Sequence, residues 1–232
     1  MASVTVPGNW AILFDLDGTL VDSRPGILRC MSSVLKDCGV TPSRHLLVSL
    51  IGNPLHDTFS RLLRESPCKR ASALCAYRSL YAREGLYECS VYRGIPGLLS
   101  GIAKRGWRAY VVTGKPRCYA RRLIRHLHLE PYLVGIYGSY LDGRFERKAE
   151  LLEHVMRVRR LCPHRTIMIG DRASDIEAAH GAGIGAVGVA YGYGSVAELQ
   201  RAGAECVCSR PSSLLGALSE RWRQSAWSGR SA

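Results

Sequence analysis

Short apolar runs alternate with amphipathic stretches along most of this 232-residue sequence. Ala11-Ile12-Leu13-Phe14 is uninterrupted and is closed by turn formers, as a strand buried on both faces would be. Five further runs share that character: Ala109–Val112, Val134–Tyr137, Thr166–Ile169, Ala186–Val189 and Glu205–Cys208. Helical spacing fills the gaps at Arg117–His128, Ala149–Arg160 and Asp175–Ala182, with shorter cases at Val196–Ala202 and Ser212–Arg221. Strand–helix alternation predicts an α/β fold, a doubly wound parallel sheet with helices on both faces. Sheets of this kind bind ligands beyond the carboxyl ends of their strands.

The pattern changes between Val21 and Tyr92. Three helical stretches, Pro25–Asp37, Pro54–Arg64 and Ala71–Tyr87, follow one another there without a convincing strand. Pro25 and Pro54 suit first-turn positions and Gly39 suits a helix stop. The expectation is a Rossmann-like core made of residues 1–21 and 93–232, with residues 22–92 inserted as an all-helical cap. No internal repeat or low-complexity tract interrupts this plan, and the final SAWSGRSA is expected to fray.

Composition adds bounds to this picture. Hydrophobic content of 47% with 22% charged residues is that of a soluble globular chain. No apolar run approaches the ~20 residues of a membrane span. MASVTVPGNW has neither the basic start nor the long apolar middle of a signal peptide, so the expected location is the cytoplasm. The nine cysteines form no C-x-x-C pair; in a reducing compartment they serve as small apolar side chains. The net charge is +13, and 27 of the 32 basic residues are arginine. They are spread along the chain, with short arginine pairs only at Arg121-Arg122 and Arg159-Arg160 and no basic run interleaved with aromatics. That spread reads as a solvated surface rather than a nucleic-acid face, and its field would draw in anionic substrates.

The chemistry begins at the first strand's tip, in Trp10–Ser23, WAILFDLDGTLVDS. Asp15 and Asp17 are two residues apart, so in extended chain both side chains face one volume. Two carboxylates held that close are costly unless a cation joins them or one takes a proton. A solvated acidic turn is the plain alternative, but D-x-D-G-T arises by chance only about once per thousand chains of this length. Three more motifs sit at strand ends or just before helices. Thr113-Gly114 offers a hydroxyl and an unhindered amide to phosphate oxygens, although Thr-Gly is also an ordinary turn. Lys148 precedes an amphipathic stretch, where the helix dipole mildly disfavours a cation. Asp171 and Asp175 stand at a strand-to-helix junction, where Asp175 could equally be a helix N-cap.

Together these residues resemble the haloacid dehalogenase-like hydrolases, from Trp10 to about Ser213, with four motifs in the family's order and a cap inserted after the first. VYRGIPGLLSGIAKRGWRAYVVTGKP and YGSYLDGRFERKAELL are similar to its phosphoglycolate phosphatase-like, nucleotidase-like branch. The resemblance implies a Mg²⁺-dependent phosphatase acting on a small phosphorylated metabolite through an aspartyl-phosphate. In it Asp15 would be the nucleophile and Asp17 the general acid and base. Thr113 and Gly114 would hold the phosphoryl oxygens, and Lys148 would neutralise charge. Asp15, the Asp17 main-chain carbonyl, Asp171 and Asp175 would surround the Mg²⁺. Asn53, in the Gly52-Asn53-Pro54 turn, and Arg24, near the hinge, are the candidate substrate contacts, though a plain turn and a solvated arginine fit them too. Dehalogenases of the superfamily lack the second aspartate, so Asp17 favours phosphate chemistry. A 5'-nucleotidase, a sugar-phosphate phosphatase or phosphomutase, and a non-catalytic binding protein remain the alternatives, and a homodimer stays open. Two departures from the family pattern stand out: Arg93 occupies a common proline position, and Arg147 beside Lys148 could take the lysine's role.

Overall fold

The computed structural model describes residues 10–64 and 67–228, with backbone alone from Arg223 onward. The chain opens with β1 (Ala11–Phe14) and a two-residue strand β2 (Val21–Asp22). It then makes α1 (Arg24–Asp37), α2 (Arg44–Ser49), α3 (Leu55–Leu62) and α4 (Pro67–Arg83), and returns through β3 (Ser90–Val91). Thereafter helix and strand alternate: α5 (Ile95–Lys104), β4 (Arg108–Pro116), α6 (Arg117–His126), β5 (Gly135–Ser139), α7 (Lys148–Val158), β6 (Thr166–Gly170), α8 (Ala173–Gly181), β7 (Gly185–Val189), α9 (Val196–Arg201), β8 (Cys206–Cys208) and α10 (Pro211–Ser228).

Six strands form one sheet in the order β5-β4-β1-β6-β7-β8, and every neighbouring pair in it is parallel. β1 lies between β4 and β6, with Phe14 level with Val111 on one side and Ile169 on the other. The chain leaves β1 toward β4 and β5 on one side, crosses back to β6, and leaves β6 toward β7 and β8 on the other, which opens a crevice at the carboxyl ends of β1 and β6. Alternate residues feed the two faces. Ile12, Phe14, Val111, Ile167 and Ile169 pack with Leu99, Leu123, Leu214 and Trp222 from α5, α6 and α10. Ala11, Leu13, Tyr110, Val112 and Met168 pack with Leu152, Val155, Ile176 and Leu199 from α7, α8 and α9. Both faces are covered, which is why the strands read as continuous apolar runs. The first cluster continues through Met31, Leu35, Leu47, Phe59 and Tyr77, so the α1–α4 segment shares one apolar body with that face of the sheet.

The expected strands all form, within one or two residues of their bounds except at β4, which runs on to Pro116. Four details differ. The segment between Val21 and Tyr92 does contain strand: Val21–Asp22 pairs antiparallel with Ser90–Val91, making a two-residue ladder where the helical segment leaves and rejoins the chain. Strands this short have no periodicity to read; they form because distant chain is brought alongside. α2 is likewise too short to show a stripe, although Ser43 caps it by accepting from the Leu46 amide. α5 was legible and missing from the expectations: Ile95, Leu98, Leu99 and Ile102 are buried at helical spacing. Finally, Ser225–Ser228 continue α10 rather than fray, while residues 229–232 lie outside the described residues, as do residues 1–9. Among the described residues no helix is long and apolar enough to cross a membrane.

Candidate active site

The carboxyl ends of β1, β4 and β6 are neighbours in the sheet, so the loops after them converge. Asp15 follows β1, its amide donating to Ile169 O of β6 at 2.9 Å. One of its carboxylate oxygens accepts from the Leu16 amide at 2.7 Å. The other lies 2.6 Å from Lys148 Nζ, and that same ammonium pairs with Asp175. Lys148 is the first residue of α7, so its position at the positive helix end is offset by two carboxylates. Burial works against its charge, but Asp15 and Asp175 more than compensate and raise its pKa. Arg147 is exposed, so the lysine, not its neighbour, reaches the strand ends.

Asp171 lies at the tip of β6, fully buried. It accepts from Thr19 Oγ1 at 3.1 Å and from the Tyr193 amide at 2.8 Å. Asp175, in the first turn of α8, accepts from the Arg172 amide at 3.1 Å, closing the turn that starts the helix. Gly18 is required where it stands. Its φ is +84°, and a Cβ there would sit 2.2 Å from an Asp171 oxygen.

Asp15, Asp171 and Asp175 offer oxygens that all lie within 4.8 Å of one another. Crowding of this kind is costly. Burial, with the charges of Asp175 and Asp15, pushes the Asp171 carboxyl up to about 8. Asp175 is pushed up to about 6, again chiefly by burial, against the pull of Lys148. A divalent cation relieves this arrangement, and an all-oxygen set with little freedom suits Mg²⁺. The residues present therefore fit the metal that the motifs imply. The Asp17 carboxylate stands apart from this cluster: Lys115 Nζ lies 3.0 and 3.1 Å from its two oxygens, and Ser23 Oγ donates to it. That leaves Asp17 its main-chain carbonyl for the expected metal role.

A cavity opens over these groups. Asp15, Asp17, Thr113, Gly114 and Lys115 line its floor, and Ile51, Asn53, Tyr77 and Tyr81 from the helical segment line its roof. Thr113 is buried, its Oγ1 accepting from the Lys115 amide at 3.2 Å. The Gly114 carbonyl is held by Ser139 Oγ at 2.6 Å. A Cβ on Gly114 would lie 4.0 Å from Gly52 O, so the Gly52-Asn53-Pro54 turn sits over this strand end. Asn53 thus borders the cavity. Arg24 does not: its guanidinium grips Asp22, at 2.9 Å from Nε and 2.8 Å from Nη2, and lies 5.2 Å from the Tyr193 ring centroid. The acidic neighbour two residues back captures it before it can reach the cavity.

Sequence reasoning missed Lys115, Tyr81, Ser139 and Tyr193. Lys115 carried a signal, since it lies two residues beyond Thr113 in the same extended tip. Tyr81 and Tyr193 carried none, because only packing brings α4 and the loop after β7 to this place.

The matches with known proteins agree with this geometry. The family model for haloacid dehalogenase-like hydrolases matches residues 12–189. A 5'-nucleotidase of Pseudomonas aeruginosa is 40% identical over 190 residues, covering 82% of this chain and 86% of that one. Tyrosine-protein kinase PtkA of Mycobacterium tuberculosis is 36% identical over 185 residues, 79% of this chain; the chain spans 62% of that kinase's length. A phosphoglycolate phosphatase of Cupriavidus necator is 30% identical over 199 residues, 83% of this chain and 85% of that one. Among solved structures, a protein described as a predicted phosphatase from Clostridium acetobutylicum superposes with a TM-score of 0.86 at 32% identity. That alignment covers 90% of this chain and 98% of the other. With the motifs gathered at one end of a doubly wound sheet and a family model spanning most of its length, the chain belongs to the haloacid dehalogenase-like hydrolases.

Proposed function

We propose that this protein is a Mg²⁺-dependent phosphatase that hydrolyses a small phosphate monoester through an aspartyl-phosphate on Asp15. The observation that carries this reading is the convergence of Asp15, Lys148, Asp171 and Asp175 on one buried point below a cavity. Asp15 presents a carboxylate oxygen to the phosphorus, and the ester oxygen leaves as Asp17 gives it a proton. Asp17, now a carboxylate, takes a proton from water, which attacks the phosphorus and releases orthophosphate and free Asp15. Thr113 Oγ1 and the Gly114 amide hold the phosphoryl oxygens, and the Lys148 ammonium offsets the charge that Asp15 and the phosphoryl group bring together. Mg²⁺, held by Asp15, Asp171, Asp175 and the Asp17 main-chain carbonyl, would neutralise the phosphoryl oxygens.

The helical segment closes the cavity over these groups and acts as the cap, placing Asn53 against the part of the ester that leaves. The names of the 5'-nucleotidase and the phosphoglycolate phosphatase suggest a nucleoside 5'-monophosphate or a small phosphorylated acid as the ester, and a sugar phosphate is a third class that the motifs allow. A panel of such esters, assayed for phosphate release, identifies the class. Release is expected to stop on addition of a chelator and to return with Mg²⁺. Asp15→Asn is expected to lose on the order of 10³-fold or more in kcat with its melting temperature retained. Undiminished release by Asp15→Asn overturns the mechanism. A folded wild-type protein that releases no phosphate from any ester favours a binding role instead.

A further inference from the structure

Arg172 stands directly after Asp171, in the loop that carries two of the three clustered carboxylates, and the reaction described above gives its side chain no task. Its amide closes the Asp175 turn. Its mostly buried guanidinium points away from that cluster, toward the helical segment. Nε lies 3.2 Å from a Glu198 oxygen, and the same oxygen accepts from the Ala173 amide at 2.9 Å, so the guanidinium has a fixed footing where α8 and α9 begin. Nη2 then reaches across and donates to Ser49 O at 3.0 Å. Ser49 is the last residue of α2. The amides that follow it donate elsewhere: Leu50 to Leu47 O, Ile51 to Val48 O and Asn53 to Leu50 O. A carbonyl at a helix end needs a donor from outside the helix, and a guanidinium is a strong one. The Gly52-Asn53-Pro54 turn comes next and lies between two motif loops. Gly52 has a φ of +98°; a Cβ there would stand 3.5 Å from Arg172 Cγ, and one on Gly114 would stand 4.0 Å from Gly52 O.

We propose that Arg172 is a positioning residue: by holding Ser49 O it seats the turn that carries Asn53 over the cavity, and so sets how well the leaving part of the ester is bound. This rests on the phosphatase reading above. Two features favour it over a plain structural ion pair. An arginine that only fastened α8 to α9 would be satisfied by Glu198, yet this one spends a second nitrogen on the helical segment. The contact is also to main chain, four residues before Asn53, so it acts on where the turn lies rather than on any one side chain of α2.

The test reads the turn and the chemistry separately. Wild-type protein, Arg172→Met, Asn53→Ala and the double variant are compared on 4-nitrophenyl phosphate, whose ring extends from the phosphoryl group toward the roof. Each single substitution is expected to lower kcat/KM by roughly 10-fold, the worth of one hydrogen bond from a charged group. The double variant should lose little more than either single, because Arg172 acts through the turn. Inhibition by inorganic phosphate, which the floor alone holds, should be unchanged, as should the Mg²⁺ concentration for half-maximal activity. Amide hydrogen exchange in residues 44–54 should become about 10-fold faster in Arg172→Met, with β1, β4 and β6 as slow as before. If Arg172→Met does not fold, Arg172→Lys takes its place, since an ammonium lacks the fork that serves Glu198 and Ser49 from separate nitrogens. Additive losses, unchanged kcat/KM, unchanged exchange or a shifted Mg²⁺ requirement overturn the positioning role and leave the phosphatase reading standing. Wild-type protein that releases phosphate from neither this ester nor the panel overturns both.

Discussion

Lys148 is the residue on which the charge balance of this site turns. It meets Asp15 and Asp175 where neither carboxylate has bulk water to stabilise it. Lys148→Met leaves that negative charge uncompensated and is expected to cost about 3–5 kcal/mol of stability, the range seen when one partner of a buried pair is removed; urea denaturation of metal-free protein at pH 8 measures it. The aspartates behind it make a pH prediction. Asp171 and Asp175 have folded pKa values raised to about 8 and about 6, above the ordinary value of about 3.9 for an unfolded chain. The folded protein therefore binds more protons than the unfolded one between about pH 4 and pH 8, and this part of the stability is lost as pH rises through that window. Metal-free protein should melt higher at pH 6 than at pH 8, and Asp171→Asn should flatten the difference. Mg²⁺ should raise the melting temperature more at pH 8, where the carboxyls are open to it. A Mg²⁺ effect larger at pH 6 would contradict the cluster's assigned character.

Among the elements, the turn after β1 carries the tightest constraint. Gly18 has a positive φ and comes against Asp171, so Gly18→Ala combines backbone strain with a collision on a candidate metal ligand. The expected cost is about 1–3 kcal/mol, with an increase in the Mg²⁺ concentration needed for half-maximal activity; a variant with unchanged stability and metal response would show that the turn can relax. This turn was legible in the sequence because D-x-D-G-T keeps its two carboxylates and its glycine within five residues, although the contact with Asp171 was not written there. The strands of the main sheet were legible for a similar reason, each being a continuous apolar run. Elements made by distant contacts were not. β2 and β3 are two residues each and exist only because Val21 and Val91 meet. Arg24 shows the same limit in a side chain: its place near the hinge suggested a substrate contact, but Asp22 holds it away from the cavity. Asn53 does border the cavity, since the turn holding it folds back over Gly114.

At the scale of the whole molecule, the C-terminal helix closes one face of the sheet. Trp222 is fully buried, stacked on Trp10 at 4.5 Å and edge-on to Trp107 at 4.0 Å. Trp222→Ala should cost about 3–5 kcal/mol, as large-to-small changes in cores do, measured by denaturation. Because Trp222 packs on Trp10 and Trp107, which precede β1 and β4, it lies at the amino ends of the strands, opposite the cavity, and kcat should change little below the melting temperature. The sequence by itself determined the parallel sheet, the tip residues and their chemistry, because those depend on short-range pattern: apolar runs fix strands, and a carboxylate at a strand end has few places to point. Only the tertiary structure decided that β1 lies between β4 and β6, which brings Asp15, Thr113 and Asp171 together. It also decided that α7 delivers Lys148 beneath them, and that α4 reaches down to Lys115. Those placements are set by which apolar faces cover which side of the sheet, a choice made by the summed burial of the whole chain and written in no single stretch of it.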